Sequence, residues 1–312
     1  MKKKAMLVMG GMIAAAWPLM AKVESVNGID WCYYLRDDNT AVISTGSGSG
    51  INGNYTVIPI ETAGAITIPS TLGGCPVKEI SDKTGFKKCR NLTSVTIPFG
   101  IETIGTAFYN CDQLTSVRIP ESVTTIAQSA FLQSGLTSVS IPRSVTCMLP
   151  SAFANCPKLG TATIDGSWTE NRYPRCGPSA FAGCKNLRVV TIKDGVQSIP
   201  DTIFRYCESL TDVSIPRSVK SINSEAFRGC KSLTSLTIPG TLDRLGYCAF
   251  QDCTNLKRLV FLGDAPKKTD GAAALNRGNM SCTIYVTRKS SGWGVDIPGQ
   301  WKGVPIRYLE NE

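Results

Sequence analysis

Residues 107–129 read AFYNCDQLTSVRIPESVTTIAQS, and this pattern recurs with variation along most of the 312-residue chain. Its phenylalanine returns at steps of 22, 23, 22, 28, 23, 23 and 23 residues. A fixed period in the twenties is typical of a solenoid, in which each unit buries its apolar face only by stacking on its neighbours. The units therefore predict one elongated repeat domain, marked by Phe86, Phe108, Phe131, Phe153, Phe181, Phe204, Phe227 and Phe250.

Within one unit the spacing of the aliphatic residues predicts a short strand. Leu114, Val117 and Ile119 follow an L-x-x-L-x-L pattern that directs their side chains into the interior. Because side chains alternate along a strand, Ser116 and Arg118 are expected to point outward. The strand then ends, since the proline that follows Ile119 cannot donate to a sheet ladder.

The whole unit, F-x-x-C-x-x-L-x-x-V-x-I-P-x-x-V-x-x-I, resembles the BspA-like leucine-rich repeats, also called the Treponema pallidum type. The resemblance covers about residues 63–262. It implies a right-handed, curved leucine-rich-repeat solenoid of about nine coils, mainly β, with a continuous parallel sheet and a cap at each end. The expected divisions are a signal peptide over 1–21, an N-terminal cap over 22–62, the repeats over 63–262 and a C-terminal cap over 263–312.

The start of the chain has the composition of a bacterial secretory signal peptide. Residues 1–21 combine a basic start, an apolar run and a small residue at Ala21, after which cleavage is expected. An uncleaved membrane anchor is the alternative, although the apolar run is short for a membrane span. Either way we expect an exported protein that is secreted, periplasmic or held noncovalently at the cell surface.

Composition argues against several classes of function. The formal charge is +9, but the basic residues are scattered and no RNA-binding aromatic motif is present, which argues against nucleic-acid binding. The sequence has no histidine, so it lacks the commonest general base and every Ser-His-Asp or Cys-His arrangement. No phosphate loop or paired zinc-ligand spacing occurs either. We therefore expect a protein that is not an enzyme and needs no cofactor or metal.

Thirteen cysteines in an exported chain could form a disulfide framework. Seven of them, however, occupy one repeat position, three residues after the phenylalanine, and Ser134 fills that position in the third unit. A small hydrophobe fits such an interior position, so buried free thiols are favoured over cross-links between coils, which the coil spacing would also allow. Cys176 is expected in the core as well. The seven are Cys89, Cys111, Cys156, Cys184, Cys207, Cys230 and Cys253.

A partner could bind at the outward strand positions, where serine and threonine predominate. Arg118, Asp212 and Arg258 are the charged residues at these positions and are candidate partner contacts. The polar face is also what cross-strand pairing on a solvated sheet would produce. If the face does bind, its lack of tryptophan and tyrosine favours a protein over a sugar.

One unit is about five residues longer than the others, and the extra residues fall at GSWTE, 166–170. Insertions in solenoids form loops on one side, often the binding side. Trp168, with Arg172 and Arg175 nearby, has the residue types of an interface hot spot. The tryptophan could instead fold back over the edge of its coil.

Aromatic residues mark both ends of the repeat region. Trp31 and Tyr33 alternate in a segment that predicts a β-hairpin cap with a turn at 46–50, and Trp293, Trp301 and Tyr308 are expected to cover the last coil. Either aromatic group could alternatively bind a ligand. A glycan-binding module using the terminal aromatics is thus the alternative to our first hypothesis.

That first hypothesis is noncatalytic recognition of an extracellular or cell-surface protein through the sheet face and the insertion. The resemblance implies it, because family members are linked to adhesion. A purely structural role in the envelope is a third alternative.

Overall fold

The computed structural model describes residues 21–45, 57–81, 85–86, 89–166, 177–270 and 281–310. These residues form strands, turns and bends, with no α-helix among them. Within the same ranges no helix is therefore long and apolar enough to cross a membrane. The architecture is a mainly β solenoid of about 9 turns, which confirms the fold class expected from the repeat.

In chain order the strands are β1 (Lys22–Val26), β2 (Ile29–Leu35), β3 (Ala41–Ile43), β4 (Gly64–Thr67), β5 (Thr71–Leu72), β6 (Cys75–Ile80), β7 (Leu92–Thr96), β8 (Thr103–Ile104), β9 (Ser116–Arg118), β10 (Thr125–Ile126), β11 (Ser138–Ile141), β12 (Cys147–Met148), β13 (Thr161–Ile164), β14 (Val189–Ile192), β15 (Ser198–Ile199), β16 (Asp212–Ser214), β17 (Ser221–Ile222), β18 (Ser235–Ile238), β19 (Arg244–Leu245), β20 (Arg258–Phe261), β21 (Lys268–Thr269), β22 (Thr283–Val286), β23 (Gly299–Trp301) and β24 (Val304–Tyr308).

One strand of every coil belongs to a parallel row that we call the front sheet. It comprises three hydrogen-bonded groups, β4-β7-β9, β11-β13-β14-β16 and β18-β20-β22-β24, with β23 antiparallel at the end. The register joins equivalent repeat positions, such as Ser138 with Thr161 and Thr161 with Val189. Between β9 and β11 the backbone N–H of Thr137 donates to the Thr115 carbonyl at 3.1 Å, so the row continues across that gap.

A second row of short parallel strands forms another side of the solenoid. It runs β3-β6-β8-β10-β12 in the N-terminal half and β15-β17-β19-β21 in the C-terminal half, and β5 pairs antiparallel with β6. Each of the two-residue strands β8, β10, β17 and β19 places a buried aliphatic at its second residue: Ile104, Ile126, Ile222 and Leu245. The second row therefore also contributes aliphatic side chains to the core.

The third side consists of turns, and the backbone N–H groups of the phenylalanines join these turns to the next coil by hydrogen bonds. The N–H of Phe108 donates to the Ala130 carbonyl at 2.8 Å, and the N–H of Phe131 donates to the Ala152 carbonyl at 2.7 Å. The same bond repeats along the chain. The eight rings are all fully buried and form one stacked column, with centroids 4.8–5.9 Å apart. The repeat assignment from the sequence is thus confirmed at its marker residue.

These turns have a backbone requirement that the sequence analysis missed. Residues two positions after the phenylalanine have positive φ in successive coils: Asn110, Gln133, Asn155, Gly183, Tyr206, Gly229 and Asp252. Glycine adopts this left-handed conformation at no steric cost, and asparagine and aspartate tolerate it. The recurrence of Asn, Gly and Asp at one repeat position was the available signal.

Both ends of the solenoid are closed by aromatic residues. At the N-terminal end β1, β2 and β3 form an antiparallel meander, and the Trp31 ring packs edge-on against Phe86 with centroids 6.0 Å apart. At the C-terminal end Trp293 and Trp301 lie edge-on to Phe261. Both tryptophans are 5% exposed, so their predicted role as cover for the last coil is confirmed. The predicted turn at 46–50 lies outside the described residues.

Candidate functional site

The front sheet presents a row of polar side chains on its outer surface. In β9 the pattern around Val117 is as predicted: Leu114 and Ile119 are buried, whereas Ser116 and Arg118 are exposed. In β11 and β18 exposed and buried residues alternate in the same way, and in β20 the second outward residue, Val260, is half-buried. Most outward residues are short, so the backbone of the sheet lies close beneath the surface. A partner could therefore approach this surface closely.

The hydroxyl groups of this face contact the neighbouring coil. The Ser116 hydroxyl lies 3.2 Å from that of Ser94, and the Thr115 hydroxyl donates to the Thr93 carbonyl at 3.1 Å. Such cross-strand pairs stabilise a solvated sheet, which supports the structural interpretation of the serine and threonine residues. These contacts account for part of the polar pattern but not for the charged residues.

The three charged residues predicted at outward positions are exposed but do not form one compact site. Arg118 lies in β9, Asp212 in β16 and Arg258 in β20. Neighbouring strands are about 4.8 Å apart, so Arg118 and Asp212 are separated by roughly 20 Å and Asp212 and Arg258 by roughly 10 Å. The front sheet therefore offers dispersed charges along an extended surface.

The insertion cannot be placed beside these residues. Trp168, Arg172 and Arg175 all lie in 167–176, outside the residues that the structure describes, and so does Cys176. The described residues on either side of this segment are Gly166, which is buried, and Gly177.

Several charged residues on the other sides of the solenoid form ion pairs within the chain. On the second row Lys78 pairs with Glu102 at 2.7 Å. On the turn side Glu225 lies 3.3 Å from both Arg205 and Arg228, and Arg228 also pairs with Asp252 at 3.2 Å. In the described parts of the chain no ion pair involves an outward residue of the front sheet.

The C-terminal end of the front sheet holds a cluster that the sequence analysis did not assemble. The guanidinium carbon of Arg258 lies 4.0 Å from the centre of the Tyr285 ring, a cation–π contact. Tyr285 is the register partner of Arg307, which is exposed on β24. The alternation in CTIYV, 282–286, predicts a strand but not its pairing with β20 and β24, because the repeat spacing is lost after Phe261.

The seven repeated cysteines are fully buried, as predicted for an interior position. Six of their thiols donate to the carbonyl of a phenylalanine in a preceding coil, for example Cys207 to Phe181 at 3.2 Å. In the third unit the Ser134 hydroxyl lies 3.3 Å from the Cys156 sulfur. All seven are free thiols. Burial raises the pKa of Cys89 to about 12, so its protonated form is favoured and its nucleophilicity is low.

The described residues hold no group of three or more histidine, cysteine, aspartate or glutamate side chains arranged for a metal ion. The Trp293 and Trp301 rings pack against each other with centroids 5.0 Å apart. Because both rings are buried, neither presents an open face on which a sugar ring could stack.

Comparison with known proteins supports the architecture. The family model described as BspA type Leucine rich repeat region, with 6 copies, matches residues 66–173 and 174–271. A leucine-rich repeat protein from Bacteroides ovatus shares 22% identity, with a TM-score of 0.61 over 81% of this chain and 70% of that one. The T. pallidum leucine-rich repeat protein shares 24% identity, with a TM-score of 0.52 over 65% of this chain and 87% of that one. The chain has no match among curated proteins.

The family model covers more than half of the chain, and the two solved structures share its fold. The matched residues coincide with the repeat region. The chain belongs to the BspA-type leucine-rich repeat family.

Proposed function

We propose that this protein is a noncatalytic binding protein that recognises another protein through the outer surface of its front sheet. The observation that carries the proposal is the distribution of paired charges. Arg118, Asp212 and Arg258 are exposed on the front sheet and form no ion pair with described residues, whereas the second row and the turns carry ion pairs such as Lys78 with Glu102 and Arg228 with Asp252. An exposed charge without an intrachain partner remains available to an external one.

The shape of the surface supports the same function. A solenoid with short outward side chains gives an extended, shallow face along many coils, and repeat proteins commonly use such faces for binding. Interfaces of this kind gain affinity from a few arginine and aromatic contacts surrounded by neutral polar ones. The front sheet has that composition, with isolated arginines among serine and threonine.

Two parts of the proposal rest on sequence alone. The insertion with Trp168, Arg172 and Arg175 is a second candidate contact for the partner. Export to the cell surface, the periplasm or the medium rests on the basic and apolar character of residues 1–21.

Site-specific photocrosslinking tests the proposal. A photoreactive amino acid at Ser140 or Thr237 places the probe on the front sheet, and the same residue at Gln197 or Lys220 places it beside the second row, at equally exposed positions. The variants are incubated with intact host cells and with bacterial cell-surface extracts. We expect one defined protein adduct from the front-sheet variants and none from the controls.

Equal labelling from both sides would contradict the proposal, and so would the absence of an adduct from every position. Deletion of 167–170 in the Ser140 variant tests the insertion separately. Loss of the adduct with an unchanged melting temperature would assign the insertion to the binding surface.

A further inference from the structure

We infer that Arg258 and Arg307, positioned around Tyr285, form an anion-binding spot for the carboxylates of an acidic, extended segment of the partner protein. We call these three residues the Arg–Tyr–Arg cluster. The inference rests on the proposed function, because it specifies which chemistry the front sheet recognises and at which end.

The geometry of the cluster comes from three neighbouring strands of the front sheet. Strand β22 pairs with β20 on one side and with β24 on the other. The Arg258 guanidinium stacks on Tyr285 at 4.0 Å, and Arg307 is directly opposite Tyr285 in the register. Stacking on an aromatic ring limits the freedom of a guanidinium while leaving its N–H donors exposed. Arg258 is therefore partly ordered before a ligand arrives.

The outward charges on β18, β20, β22 and β24 are of one sign, and the nearest outward carboxylate on the front sheet beyond them is Asp212 on β16, roughly 10 Å from Arg258. The outward residues of β18, β20, β22 and β24 include two arginines and no carboxylate, and exposed Lys257 adjoins Arg258. Neither Arg258 nor Arg307 has an ion-pair partner in the described part of the chain. Charge complementarity at a protein interface then calls for an anionic partner. The outward residues are Ser235, Thr237, Arg258, Val260, Thr283, Tyr285, Pro305 and Arg307.

The spacing of the two arginines sets a requirement on the ligand. Arg258 and Arg307 lie two strands and two register positions apart, which corresponds to roughly 12 Å. An extended chain rises about 3.3 Å per residue and its side chains alternate between two sides, so carboxylates about four residues apart would face and match the two guanidiniums. An extended acidic segment that crosses the strands meets this requirement.

A peptide fits the cluster better than a glycan does. Arg258 covers one face of the Tyr285 ring, and Trp293 and Trp301 are only 5% exposed, so the C-terminal end has no open pair of aromatic faces for sugar stacking. What the surface offers instead is planar guanidinium donors, whose geometry matches a carboxylate in two parallel hydrogen bonds.

Binding of a fluorescently labelled oligoglutamate peptide, followed by anisotropy, tests the inference. The Arg258→Gln/Arg307→Gln variant is compared with Arg90→Gln/Arg217→Gln, which removes the same charge from exposed arginines elsewhere. We expect the cluster variant to bind about tenfold more weakly and the control variant to bind like the parent protein. Melting temperatures of all three proteins should agree, since the changed side chains are exposed.

Equal weakening in both variants would overturn the inference, because net charge alone would then explain binding. No binding of oligoglutamate to the parent protein would also overturn it. A third contrary outcome is binding of heparin oligosaccharides that depends on the two arginines while oligoglutamate does not bind, which would identify a sulfated glycan as the ligand.

The photocrosslinking variants separate this inference from the proposed function. If the Ser140 probe still captures its protein in the Arg258→Gln/Arg307→Gln background with unchanged yield, the front sheet binds a partner but the cluster does not contribute. If the front-sheet probes capture nothing in the parent protein, the proposed function itself fails.

Discussion

Phe181 lies in the middle of the ring column and contacts a ring on each side. Its centroid is 5.4 Å from that of Phe153 and 5.9 Å from that of Phe204. A side chain in this position contributes both its own buried area and the packing of its two neighbours. Removing it would leave a cavity that neither neighbouring coil can fill without moving its backbone.

We expect Phe181→Ala to lower the free energy of unfolding by about 3–5 kcal/mol. Val189→Ala is the matched control, because Val189 belongs to the same repeat unit but is 36% exposed on the front sheet. Its effect should stay within about 0.5 kcal/mol. Urea unfolding followed by circular dichroism measures both changes, and similar values for the two variants would contradict the column as the main packing element.

Gly229 occupies a turn position where two requirements coincide. Its φ is +74°, and a Cβ built there would lie 2.4 Å from Cδ1 of Tyr206 in the preceding coil. Glycine therefore avoids both the strain of the left-handed backbone and a clash with the tyrosine ring.

We expect Gly229→Ala to destabilise the protein by about 1–2 kcal/mol. In the Tyr206→Ala background the same change should cost less, because only the backbone strain remains. Thermal unfolding of the two single variants and the double variant forms a double-mutant cycle. An additive cycle would show that the Tyr206 ring moves aside at no cost, so that backbone strain alone explains the destabilisation by Gly229→Ala.

At the scale of single residues the sequence was most informative where side chains repeat. The phenylalanine and cysteine positions, the inward aliphatics and the exposed Arg118, Asp212 and Arg258 all follow from period and alternation. The left-handed turn positions were missed because several residue types occupy them, including Gln133 and Tyr206. Tertiary hydrogen bonds hold these residues in a conformation that their own preferences do not indicate.

The buried thiols make the stability of the solenoid depend on pH. Burial raises the pKa of Cys89 and of Cys282 from 9.0 to about 12. In the unfolded chain the same thiols would ionise near the ordinary value. Their contribution to stability is thus fully present below pH 9 and is lost as the pH rises from 9 towards 12, because the unfolded state then releases protons that the folded state retains.

We expect the free energy of unfolding to decrease with pH above about 9, by about 1.4 kcal/mol per pH unit for each such thiol. Cys89→Ser should reduce this slope, since serine does not ionise in the range. The substitution has a precedent in the chain, where buried Ser134 fills the equivalent position. Urea unfolding at about pH 8 and about pH 10 gives the slope. An unchanged slope in the serine variant would mean that Cys89 ionises in the folded protein as it does when unfolded.

Among the larger elements, the C-terminal strands show where prediction from the sequence stops. Strand β22 could be predicted from the alternation in CTIYV, but its alignment on β20 could not. Leu259 pairs with Ile284 at a step of 25 residues, which differs from the repeat period. The intervening residues no longer mark the register, so packing against the last coil sets it. The Arg–Tyr–Arg cluster depends on that register.

Over the whole molecule each coil contacts mainly its neighbours, so damage at one end should remain local. Trp293 and Trp301 cover the last coil by packing against Phe261, and Trp31 covers the first by packing against Phe86. The two ends are thus closed by separate aromatic groups with the ring column between them.

We expect Trp293→Ala/Trp301→Ala to expose Phe261 and to raise hydrogen exchange in β20 and β22, with little change in β7 and β9. The loss of amide protection should therefore decrease with distance from the C-terminal cap. Hydrogen–deuterium exchange followed by mass spectrometry of peptic fragments measures this loss. Uniform loss of protection along the chain would indicate that the solenoid unfolds as a single cooperative unit.

The ring column also has a mechanical consequence. Its spacings are 4.8–5.0 Å from Phe86 to Phe153 and 5.4–5.9 Å from there to Phe250. A force applied along the solenoid axis acts on all contacts between neighbouring coils in series, so each contact bears the same force. The yield force is then set by the weakest contact, and we expect that contact between Phe181 and Phe204, where the ring spacing is widest. Additional coils would lengthen the solenoid without raising the force at which it yields.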